Sequence, residues 1–73
     1  MLTSNDLKAL VELEKLGEVG ENVYLESIPF AVTKVDEGYI ALHIMTFPPC
    51  IRRFFKPSME EMKASLAKIA LEK

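Results

Sequence analysis

Apolar residues recur at Leu7, Leu10, Val11, Leu13 and Leu16, the three- and four-residue spacing of a helix face. Gly17 stands where that helix has to stop. Leu2 and Leu7 flank Thr3 and Ser4 at the spacing of a hydrophobic staple, and Thr3 with Asp6 reads as a variant capping box. At about 100° per residue only a narrow polar stripe is left, made by Lys8, Glu12 and Lys15. The helix therefore presents a wider apolar arc than one sheet contact consumes.

From residue 22 the period changes to two. Residues 22–27 alternate with Val23 and Leu25 on one face, and residues 30–35 alternate again behind Pro29, which tolerates the start of a strand. Asp36, Glu37 and Gly38 supply a short turn. Residues 39–47 then carry Ile40, Leu42 and Ile44 on one face and Tyr39, Ala41, His43, Met45 and Phe47 on the other. Neither face is polar, so this strand belongs inside a sheet with both sides covered. Pro48 and Pro49 end it. Residues 50–56 fit either a short edge strand or an ordered loop. Ser58 with Glu61 forms a capping box, and Met59, Met62, Leu66, Ile69 and Ala70 fall on one stripe of a closing amphipathic helix.

The expected fold is α+β, in the order α-β-β-β-α, within a single domain of residues 1–73. Its antiparallel sheet has three strands, with residues 50–56 as an optional fourth, and both helices pack on one face. On that arrangement Tyr39, Ala41, Met45 and Phe47 point away from the helices, with nothing in the chain to cover them. The element order resembles that of the double-stranded-RNA-binding domain. The likeness is one of order alone: the second helix here opens Met59-Glu60-Glu61-Met62-Lys63, where that family carries lysines that grip phosphates and where acids repel them.

Composition narrows the class. With 73 residues the chain has a thin core, since a domain of this size buries only about 60% of its unfolded surface. At 49% hydrophobic and 27% charged it reads as globular rather than disordered. Met1 to Asp6 lacks the basic and apolar blocks of a secretion signal, and the apolar run before Pro48 is too short to span a bilayer. Cys50 is the single cysteine, a usage that fits a reducing cytoplasm. The net charge of −2 conceals an asymmetry. Residues 1–37 hold eight acids and three bases, whereas residues 38–73 hold three acids and six bases. Opposed halves of this kind can meet across a two-fold interface.

Chemistry-bearing residues are few. His43, the one histidine, sits mid-strand among apolar neighbours and reads as a packed ring. His43 with Cys50 is too small a set for zinc, so no metal is expected. Glu60 and Glu61 diverge by about 100° on a helix and serve its N-terminus rather than acid–base catalysis. Gly17 and Gly20 are flanked by Glu18 and Glu21, the wrong lining for a phosphate cradle. No catalytic cluster can be assembled; a binding protein without cofactor or small-molecule substrate is expected, not an enzyme.

One segment stands apart. Arg52 and Arg53, the only arginines, are followed at once by Phe54, Phe55 and Lys56. Arginine beside aromatic residues is characteristic of interface cores, and also of small-domain edges where the rings anchor a loop. Tyr39, Met45, Phe47, Arg52, Arg53, Phe54, Phe55 and Lys56 are therefore the candidate contact residues. The expected partner is a second copy of the chain, forming a homodimer, with another protein as the broader case. Nucleic acid is the alternative, bound by exposed Tyr39 or Phe47 with Arg52, Arg53 and Lys56 on the phosphates.

Overall fold

The chain folds as α1 (Ser4–Leu16), β1 (Asn22–Tyr24), β2 (Phe30–Val35), β3 (Gly38–His43), β4 (Arg53–Lys56) and α2 (Met59–Leu71), in a computed structural model that describes residues 1–44 and 53–72. The strands form one antiparallel sheet in the order β1-β2-β3-β4. Residues 53–56 thus resolve the choice between strand and loop in favour of an edge strand, and the element order is α-β-β-β-β-α. That fourth strand also departs from the order of the double-stranded-RNA-binding domain.

Local signals set the helix ends. The Asp6 N–H donates to Thr3 Oγ1 at 3.1 Å and the Thr3 N–H donates to Asp6 Oδ2 at 3.3 Å, a reciprocal capping box. Gly17 stops α1 with an extended backbone, its N–H donating to the carbonyls of Glu12 and Leu13. A glycine is needed there for space: a Cβ would sit 2.7 Å from the Leu13 carbonyl oxygen. Ser58 caps α2 by accepting from the Glu61 N–H at 3.3 Å. The Glu61 carboxylate answers the Ser58 hydroxyl at 3.4 Å, so half of the expected box forms.

Both helices lie over the face of the sheet that carries Val23, Phe30, Val32, Tyr39 and Ala41. Leu10 and Leu13 of α1 meet Met59, Met62 and Leu66 of α2 in the same core. Full burial of each such side chain contributes about 1.5–3 kcal/mol relative to exposure. The wide apolar arc of α1 is only partly used, because Leu7 and Leu16 stay exposed.

Which face of β3 is covered reverses the expectation from sequence. β2 and β3 are joined by Asp36 and Glu37 alone, which pairs Val35 with Gly38, Val32 with Ala41 and Phe30 with His43. Paired residues share a face, so Tyr39 and Ala41 follow Val32 under the helices and are 8% and 0% exposed. The opposite face carries Ile40, Leu42 and Ile44 instead, with Leu42 and Ile44 exposed and Ile40 half-buried. Cβ-less Gly38 also lets the end of β4 approach: a methyl there would overlap the Lys56 carbonyl oxygen and lie 2.8 Å from Pro57 Cα.

Two polar clamps fix α1 on the sheet. At its N-terminus the buried Asp6 carboxylate reaches the connection after β1, where Oδ1 accepts from the Glu26 N–H at 2.7 Å and Oδ2 accepts from the Ser27 N–H at 3.2 Å and from the Ser27 hydroxyl. At its C-terminus Lys34 of β2 donates to the carbonyls of Glu14 and Gly17, each at 3.0 Å. Each charge opposes the helix dipole at its end. Burial pushes the Asp6 carboxyl up. The hydrogen bonds from Ser27, Glu26 and Thr3 outweigh it and hold the group below its ordinary value of 3.8.

Two outcomes follow for stability. Because the folded state favours the Asp6 carboxylate, its contribution is full above pH 3.8 and is lost as pH falls through the lowered folded value. Asp6→Asn is expected to cost about 1–3 kcal/mol at neutral pH, and to flatten the acid dependence of the urea midpoint. An unchanged slope in the mutant would assign that dependence to other carboxylates. Gly38→Ala is expected to lose about 1–3 kcal/mol through overpacking at the β3–β4 junction, measured by the same titration at neutral pH.

Candidate interaction face

β4 alternates, and this splits Arg53, Phe54, Phe55 and Lys56 between the two sides of the sheet. Phe54 pairs with Ala41 and so faces the helices, where its ring lies 6.2 Å from that of Phe30 at 55°. Lys56 pairs with the buried Tyr39, and its ammonium stands 6.0 Å from the Phe54 ring centroid, at the outer limit of a cation–π contact. Arg53 and Phe55 point the other way, paired with Leu42 and Ile40. The segment is therefore not one patch: Phe54 anchors the edge strand and Phe55 is left to solvent. Arg52, Met45 and Phe47 lie outside the described residues, as does Cys50.

The open face is built in rows by the register. Asn22, Thr33, Ile40 and Phe55 form one row; Tyr24, Ala31, Leu42 and Arg53 form the next. Val35 and Gly38 lie beyond the first row, towards the turn. Tyr24 is 65% exposed, Leu42 38%, Ile44 43% and Phe55 46%. Together they make an apolar surface on the order of a few hundred Å², the size at which the largest patch on a soluble monomer commonly has a use. The sequence leads to such a surface on the Tyr39 and Ala41 side of β3, and the register places it on the other side. Ile40, Leu42, Ile44 and Tyr24 were the residues missed. The two-residue connection at Asp36 and Glu37 was the signal that would have found them, since it fixes which positions of β2 and β3 share a face.

Charge on this face is sparse and polarised. Arg53 lies at one end, beside Leu42, and the Asp36–Glu37 turn lies at the other. Near the turn Val35, Asp36, Glu37, Ile40 and Phe55 line a shallow depression of ≈ 300 Å³. On the covered side a second depression, ≈ 240 Å³, runs between β4 and α2 past Phe54, Lys56, Ser65, Lys68, Ile69 and Glu72, with charges of both signs.

Tyr39, expected to be exposed for contact, is buried. Burial raises its hydroxyl above the ordinary value and the negative charge of Glu14 adds to this. His43 packs as expected, edge-on to Phe30 with ring centroids 4.9 Å apart. Among the described residues no three His, Cys, Asp or Glu side chains gather as metal ligands. Among the same residues no helix is long and apolar enough to cross a membrane. Compared with protein-family models, curated proteins and solved structures, the chain shows no significant match to any.

Proposed function

We propose that this chain is a small protein-interaction module that associates with itself, most simply as a homodimer, and that it is not an enzyme. The observation that carries this reading is the open face of the sheet, with Leu42, Ile44, Phe55 and Tyr24 exposed on its described part. Four strands about 4.8 Å apart and six residues at about 3.3 Å each give a face roughly 20 Å on a side. Two such faces brought together bury on the order of 800 Å², below the ~1,200 Å² at which stable interfaces begin. The expected affinity is that of a reversible dimer rather than an obligate one. A cytoplasmic location belongs to the same proposal, supported by the lone cysteine.

Nucleic acid has a weaker footing. Arg53 and Phe55 share the open face, but the acidic turn bounds it and Tyr39 is not available to stack on a base. Binding of that kind would show as a mobility shift at low salt that disappears as salt rises.

Light scattering on a sizing column, across a protein concentration series, tests the proposal. The native chain is expected to run as a dimer at tens of micromolar. Leu42→Lys combined with Phe55→Lys is expected to give a folded monomer, because both side chains are solvent-facing and their replacement leaves the core intact. A native chain that stays monomeric at several hundred micromolar would overturn the reading.

A further inference from the structure

We infer that the acid-rimmed depression at the turn end of the open face receives the Arg53 side chain of a second copy, so that the two sheets pack face to face about a two-fold axis running across the strands. This rests on the self-association proposed above and specifies its register.

Among the described residues Arg53 is the one cation whose side chain belongs to the open face, since Lys34 and Lys56 have the parity of the covered face. Asp36 and Glu37 rim the same face at its opposite end. No side-chain hydrogen bond or ion pair to another described residue engages Arg53, Asp36 or Glu37. A face with a free guanidinium at one end and free carboxylates at the other is self-complementary when turned end for end. An isologous two-fold then forms the contact twice.

Strand spacing sets where the axis lies. Arg53 is level with Leu42, Phe55 is level with Ile40, and Val35 with Gly38 lies one row further on. An axis crossing the Ile40–Phe55 row carries the Arg53–Leu42 row of one copy onto the Val35–Gly38 row of the other. Ile40 and Phe55 then lie close to the axis and meet their own counterparts. Leu42 comes over Gly38, where there is no side chain to oppose it. Arg53 comes over the end of β4 beside Gly38, at Pro57, from where its side chain has to reach sideways to the depression lined by Val35, Ile40 and Phe55 with the Asp36 and Glu37 carboxylates at its edge. Packed sheets lie about 10 Å apart, a gap that the long arginine side chain can bridge. The planar guanidinium suits this depression twice over, as a fork for carboxylate and as a cation over the Phe55 ring.

The other axis in the plane, along the strands, would bring the acidic turns of the two copies to the same end and the two Arg53 residues to the other. Like charges meeting in that way are disfavoured. Charge thus selects between the two simplest face-to-face arrangements.

The test uses the full chain and sedimentation equilibrium. Arg53→Glu is expected to weaken the dimer by about tenfold or more, and Asp36→Arg with Glu37→Arg to do the same. An equimolar mixture of the two variants is expected to restore dimers, because each supplies the charge the other lacks. Urea midpoints matching the native chain at concentrations too low for it to dimerise, or Arg53→Gln in place of a variant that misfolds, separate lost association from lost folding. If Arg53→Glu dimerises as tightly as the native chain, or if the mixture fails to recover, the register is wrong while self-association stands. If the native chain is itself monomeric, the self-association fails and this register with it.

Discussion

The pairing of β2 with β3 is the constraint on which the rest of the molecule depends. Asp36 and Glu37 are the whole connection between the strands, so Val35 must face Gly38 and every later pair follows. A slip of one residue would carry Tyr39 and Ala41 out to solvent and Ile40 and Leu42 under the helices. With the observed register, Phe30 and Val32 on β2 and Tyr39 and Ala41 on β3 supply the floor on which Leu10, Leu13, Met59, Met62 and Leu66 pack. The lack of a side chain at Gly38 then lets β4 close against β3.

On that floor α1 is held at both ends by charge rather than by apolar contact alone. Asp6 serves two purposes with one carboxylate. It completes the cap of its own helix, and it gathers the backbone N–H groups of Glu26 and Ser27 from a segment twenty residues away. Lys34 answers at the other end, neutralising carbonyls that the last turn of α1 leaves without helical partners. A thin-cored domain gains more from such clamps than a large one, because fewer buried side chains are available to fix the angle of a helix.

The functional reading comes from what this architecture leaves over. Two helices are enough to cover one face of a four-stranded sheet, and the chain spends both on the same face. The other face keeps Ile40, Leu42, Ile44 and Phe55, residues whose burial would be worth more than their exposure. A face of that composition with opposite charges at its two ends is the surface on which the proposed self-association rests. The mixed fate of residues 53–56 belongs to the same logic, since an edge strand must send alternate side chains to opposite sides.

What the sequence by itself determined was local. Thr3, Asp6 and Gly17 bound the first helix, Ser58 begins the second, and the change from a period near 3.6 to a period of two separates helices from strands. Each of these rests on interactions between residues a few positions apart, so the chain carries them wherever it folds. The α+β class and the packing of helices against an antiparallel sheet follow from their order. The tertiary structure decided the rest. β3 is apolar on both faces, so its own residues give no preference between them; the choice was made by its pairing with β2. Residues 53–56 became a strand because Ala41 and Leu42 offered an edge to pair with, and Tyr39 was lost from the contact surface through the parity it shares with Lys34. The reach of Asp6 to Ser27 depends on two distant segments meeting in space, which periodicity along the chain does not encode.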